Sequence, residues 1–133
     1  MITRDELAVY LHDFLACDRF NDYAPNGLQV EGKKTIEQIC TAVTASEDVI
    51  QKAASMQADA LLVHHGFFWR GEDPVITGLK YKRIAPLILN TINLYAYHLP
   101  LDSHPDLGNN ACLAELLEID SVQMHPAGKT ENL

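Results

Sequence analysis

The chain has 133 residues, 47% hydrophobic and 21% charged, which suits one folded domain with one core and excludes a disordered chain. Its formal net charge of −8 excludes nucleic-acid binding through a broad basic surface, since phosphate contacts need clustered Lys and Arg. No apolar run approaches the roughly 20 residues of a membrane span. The acidic, polar start Met1-Ile2-Thr3-Arg4-Asp5-Glu6 does not have the pattern of a secretory leader. Cys17, Cys40 and Cys112 form no C-x-x-C pair, so buried or unreactive free thiols and a cytoplasmic location are expected.

Thr3 and Glu6 spell a capping box. Leu7, Leu11, Phe14 and Leu15 follow on one helical stripe, which predicts a helix over residues 4 to 16 with His12 on its solvated side. From residue 17 to 32 periodicity disappears around Pro25-Asn26-Gly27, so this stretch reads as a loop; Asp22 and Asn26 are its only candidates for reaching a ligand. Residues 37 to 43 read as a strand. Ser46 caps a helix to about Met56, with Val49, Ile50 and Ala53 facing inward. Residues 60 to 63 form a second strand that ends at His64-His65-Gly66. Residues 79 to 90 read as a helix that Pro86 should kink or split. Residues 93 to 97 form a third strand running into His98, and 110 to 117 a last helix. Residues 1–119 are therefore expected to form one α/β domain and 120–133 an irregular tail. The alternation of short strands and helices predicts a mostly parallel sheet with helices on both faces.

In an open parallel sheet, ligands bind at the carboxyl ends of the strands. His64 and His65 end one strand; His98 ends the next, and Asp102 lies in the loop that follows. Histidine and aspartate are common metal ligands, and two strands deliver them to one edge. Side chains of adjacent strand residues point to opposite faces. If Gly66 lets the backbone turn, the two rings can splay toward neighbouring points, an arrangement suited to two ions with Asp102 beside them. Two ions roughly 3.5–4 Å apart suit the hydrolysis of phosphate esters and amides. His98 is equally suited to direct ligation, to orienting a ligand from behind or to gripping substrate. Phe67, Phe68 and Trp69 are suited to stacking on an aromatic substrate or to packing under the next loop; His104 and His125 are expected at the surface.

The segments Asp22-Tyr23-Ala24-Pro25-Asn26-Gly27-Leu28-Gln29-Val30-Glu31-Gly32, Val63-His64-His65-Gly66-Phe67-Phe68-Trp69 and His98-Leu99-Pro100-Leu101-Asp102 resemble the Nif-three-like family of dinuclear metal proteins. The resemblance is strongest to the bacterial YbgI-type members, and many members carry the name GTP cyclohydrolase I type 2 homologue. It covers about residues 5 to 119. It implies metal ligation by His64, His65 and Asp102, two divalent ions (Zn, Fe, Mn or Ni), and a toroidal homohexamer. It also implies hydrolysis of a nucleotide-like or otherwise phosphorylated small molecule. Family members are about twice as long, and their second half supplies a further histidine with a glutamate four residues on. Here His125 is followed at that spacing by Lys129, so the family's C-terminal half is expected to be absent. The alternative expectation is a non-catalytic metal-binding or assembly module, with fewer ions bound by this short chain. No residue is identified as the catalytic acid or base.

Overall fold

A computed structural model describes residues 1–123 and 125. The chain folds as β1 (Ile2–Thr3), α1 (Arg4–Phe14), a 3-10 turn (Cys17–Arg19), β2 (Gly27–Val30), β3 (Thr35–Ile36), β4 (Ile39–Thr44) and α2 (Glu47–Ser55). It continues with β5 (Ala60–His65), α3 (Gly78–Leu89), β6 (Asn93–Ala96), α4 (Leu99–Asp102) and α5 (Asn109–Leu116). The main sheet has the order β2-β6-β5-β4, and β1 pairs separately with β3. β4, β5 and β6 are parallel, in register from Ile39↔Ala60 and Ala60↔Asn93 onward.

Alternation along the strands builds two cores. Leu61, Val63, Leu94 and Ala96 face Ile50 and Ala53 of α2 and Ile84 and Leu87 of α3. Ala60, Tyr95 and Tyr97 face the other way, against Leu7 of α1, Leu15 and Cys17. The sheet is thus covered on both faces, as the element pattern predicts.

The helix ends follow the sequence signals. Thr3 Oγ1 accepts from Glu6 N at 3.2 Å while Thr3 N donates to Glu6 Oε2 at 2.9 Å, a complete capping box. Ser46 Oγ accepts from Val49 N. Gln57 and Thr91 follow α2 and α3 with φ of 56° and 53°. In each case the next residue donates to the carbonyl five residues back, Ala58 to Ala53 and Ile92 to Leu87, and so closes a left-handed cap.

Five expectations need correction. The stretch 17–32 is not all loop, because Gly27–Val30 forms a fourth strand, antiparallel to β6. The expected strand 37–43 is β4, shifted to Ile39–Thr44, and a separate short strand, β3, precedes it and pairs with β1. β5 runs through both histidines rather than stopping at residue 63. Asp102 closes the short helix α4 instead of lying in a loop. Pro86 does not split α3: it removes only the bond to the Lys82 carbonyl, and Lys82 lies on the exposed face. The three cysteines are free, but only Cys17 is buried, where burial pushes its thiol up to about 11; Cys112 is exposed. Among the described residues, no helix is long and apolar enough to cross a membrane.

Candidate metal centre

The carboxyl ends of β5 and β6 place His64, His65 and His98 in one cluster. Each offers a ring nitrogen, and these nitrogens all lie within 4.8 Å of one another. The ring centroids of His64 and His65 stand 4.3 Å apart, and those of His64 and His98 5.0 Å apart. The pleat would normally separate the adjacent pair. Here β6 stops pairing at Val63↔Ala96, so the last two residues of β5 are held by β4 alone, through Thr44↔His65, and both rings turn toward the same space.

Each ring is held from behind. His64 Nδ1 donates to the Tyr97 carbonyl at 3.0 Å, which fixes the tautomer, since a carbonyl only accepts. His98 Nδ1 donates to Asp22 Oδ1 at 2.8 Å. His65 Nδ1 lies 3.3 Å from Thr44 Oγ1. In the neutral rings the Nε2 lone pairs of His64 and His98 therefore point away from these partners and remain available. This outer support is the arrangement that metal-ligating imidazoles use. His65 is pushed below the ordinary histidine value by burial first and then by the facing His64 and His98.

Asp102 lies beside this cluster. Its Oδ1 stands 3.5 Å from His64 Nε2 and accepts from Asn109 Nδ2 at 2.8 Å. In neutral His64, whose one ring proton goes to Tyr97, two lone-pair atoms face each other across that gap, and a cation between them relieves the repulsion. Donors about 2.1 Å from one tetrahedral ion stand about 3.4 Å apart. The observed separation fits that spacing, and the donor set suits a borderline divalent ion. His98 belongs with the imidazole group on geometry, whereas Asp102 makes its short contact with His64.

Trp69 is the aromatic of its run that reaches the site, edge-on to His98 with centroids 4.9 Å apart. Phe67 is buried in the core and Phe68 is exposed, so neither forms a stacking platform with it. His104 is half-buried and stacks on Phe14 at 4.7 Å, and His125 is exposed.

The 22–29 segment is what the sequence pattern undervalued. Because β2 runs antiparallel with Gly27 opposite Ala96, its entry loop arrives where β6 ends. Asp22 Oδ2 accepts from Leu99 N at 2.9 Å and from Asn26 Nδ2 at 3.0 Å. Asn26 Oδ1 in turn accepts from His98 N at 2.7 Å. Burial raises the affinity of Asp22 for a proton, but the hydrogen bonds from His98, Asn26 and two backbone N–H groups outweigh it and hold the carboxyl below its ordinary value. Gln29 is the extra residue where the β2–β6 register slips. From that bulge its Oε1 accepts from Phe67 N at 2.7 Å and its Nε2 donates to the Phe67 carbonyl at 3.1 Å. A β-bulge often re-aims a side chain, but nothing in a four-residue strand announces one.

Comparison with known proteins follows the same lines. A Haemophilus influenzae protein named GTP cyclohydrolase 1 type 2 homolog is 59% identical over 118 residues, 89% of this chain and 47% of that protein. The solved structure of the protein ybgI, described as of unknown function, is 51% identical with a TM-score of 0.91, over 95% of this chain and 51% of that one. TTHA1606 from Thermus thermophilus is 42% identical with a TM-score of 0.83, over 98% of this chain and 53% of that one. The chain spans about half the length of the curated relatives it matches. The family model Duf34/NIF3 (NGG1p interacting factor 3) matches residues 2–130, and this chain belongs to that family.

Proposed function

We propose that this chain supplies one wall of a divalent-metal hydrolase site acting on a phosphorylated or nucleotide-like small molecule. His64, His65 and His98 serve as imidazole donors, and Asp102 is the carboxylate beside them. The observation that carries this reading is the facing of His64 Nε2 and Asp102 Oδ1 across 3.5 Å while the other His64 nitrogen is committed to Tyr97. A divalent ion held there by His64 and Asp102 would polarise a phosphoryl or carbonyl oxygen. These four donors suffice for a single ion, since a catalytic zinc keeps three protein ligands. The pair of ions that the family relation favours draws on donors beyond these four. Around them, Tyr97, Asp22 and Thr44 hold the three rings, and Trp69 walls the His98 side against water.

Elemental analysis of the purified protein, paired with phosphate release from a panel of nucleotides in added Zn2+ or Mn2+, tests this reading. Bound metal together with turnover that a chelator abolishes supports it; absence of both sinks it.

A second reading, a non-catalytic metal-binding and assembly module, is favoured by β4. Among the described residues its outer edge has no strand partner. Val43 and Ile39 are 68% and 43% exposed there, beside a cavity of about 320 Å³ lined by Ile39, Val49 and Met56. Such an edge favours association, and self-assembly, a hexamer by family analogy, is proposed with it. Metal binding without turnover, in a chain that elutes as an oligomer on size exclusion, supports this second reading over the first.

A further inference from the structure

We propose that Asp22 is the positioning residue of the metal centre, fixing the tautomer and aim of His98 so that its Nε2 lone pair faces His64 and His65. The inference rests on the metal-binding reading for its purpose, but the geometry that carries it is independent of any ion. The Asp22 side chain is only 3% exposed, although it is charged and lies in a loop. Charged carboxylates are seldom so buried unless every lone pair is used. Those of Asp22 accept four hydrogen bonds: Tyr23 N at 2.6 Å and His98 Nδ1 at 2.8 Å on Oδ1, Leu99 N at 2.9 Å and Asn26 Nδ2 at 3.0 Å on Oδ2. With Asn26 taking the His98 N–H, the ring nitrogen of His98, its own peptide and the next peptide are all gripped from one loop.

An ordinary turn aspartate would satisfy its own neighbours, as Asp22 does with Tyr23 N. It would not spend its remaining capacity on a residue 76 positions away. The consequence for His98 is specific. A neutral imidazole can carry its proton on either nitrogen, and only the Nδ1–H form both satisfies Asp22 and leaves Nε2 as a donor to a cation. A carboxylate behind the ring also raises the basicity of the ligating nitrogen.

Asp22→Asn separates positioning from bracing. The amide has the same shape, yet whichever way it is placed, its NH2 faces two donors. Toward His98 that conflict is relieved when the imidazole moves its proton to Nε2. Long-range 1H–15N spectra of the metal-free full chain at about pH 8, above the ordinary histidine range, report the tautomer directly. The expected wild-type result is His98 as Nδ1–H, changing to Nε2–H or a mixture in Asp22→Asn. Zn2+ affinity is expected to fall by about 10–100-fold in Asp22→Asn, and not to fall further when the same substitution is made on a His98→Ala background. A wild-type His98 protonated on Nε2 overturns the proposal without any variant, which covers the case of a variant that does not fold. An equal loss of affinity in the His98→Ala background overturns it as well, since the role is then general bracing. Wild-type protein that binds no Zn2+ while His98 shows the Nδ1–H tautomer overturns the metal reading and leaves the positioning of His98 standing.

Discussion

Gly66 follows the two histidines directly, and its replacement by alanine tests how that loop is held. A Cβ built at Gly66 would lie 2.1 Å from Gln29 Oε1, 2.8 Å from Gln29 Cδ and 2.6 Å from Ala96 Cβ. Gln29, a flexible side chain, is displaced, and the clash with Ala96, on buried β6, is left for a small backbone shift to relieve. Displacing Gln29 breaks its bonds to Phe67 N and the Phe67 and Pro25 carbonyls. Each is worth about 0.5–1.5 kcal/mol, and an unpaired N–H on buried Phe67 costs about 1–3 kcal/mol. Allowing for partial relaxation, Gly66→Ala should destabilise by about 3 kcal/mol, a large share of the ~5–15 kcal/mol typical of a domain. Urea unfolding followed by circular dichroism measures it. Gln29→Ala alone should cost about 2 kcal/mol, since it frees the same partners without a clash. The double variant should cost about 3 rather than 5 kcal/mol, because both changes remove one clamp. A Gly66→Ala protein within about 0.5 kcal/mol of wild type, or strictly additive losses, would refute the reasoning.

Two other perturbations test other parts of the fold. Asp59 accepts from Lys33 Nζ, Glu37 N and Gln38 N, and the Lys33 hydrogen bond first among these holds its carboxyl below the ordinary value. A depressed folded value means stability that is present above the unfolded value, about 3.9, and is lost as pH falls through the folded one. Asp59→Asn should therefore cost about 2 kcal/mol at pH 7, with the gap to wild type closing below about pH 4; a gap that is constant with pH contradicts the assignment. Thr91 is β-branched, exposed and left-handed at φ 53°, so Thr91→Gly should stabilise by about 0.5–1 kcal/mol in thermal unfolding. A loss of stability there would mean that the cap is not the strained feature it resembles.

The parts of the fold that the sequence made legible are those whose causes are local. Thr3 with Glu6 and Ser46 mark helix starts because capping is settled within three residues. β5 and β6 were legible because buried parallel strands need unbroken apolar runs. The histidine pair and His98 were legible because strand ends in such sheets face one edge. β2 was not: Gly27-Leu28-Gln29-Val30 is short, follows a turn signal, and is a strand only because β6 offers it an edge. Missing that antiparallel strand hid the path by which Asp22 and Asn26 reach His98. Gly66 was assigned the right importance for the wrong cause, since its place is decided by the approach of Gln29 and Ala96, while the left-handed residue of that loop is Phe68 at φ 66°.

The most direct test of the central claim is a Co2+ titration of metal-free protein followed by visible absorption, run on wild type and on a His64→Ala, His65→Ala double variant. The account predicts saturable binding of at least one equivalent per wild-type chain, with a second equivalent supporting a two-ion centre, and no such spectrum in the double variant. Wild-type protein that takes up no cobalt above background, or a double variant that binds as well as wild type, would contradict it.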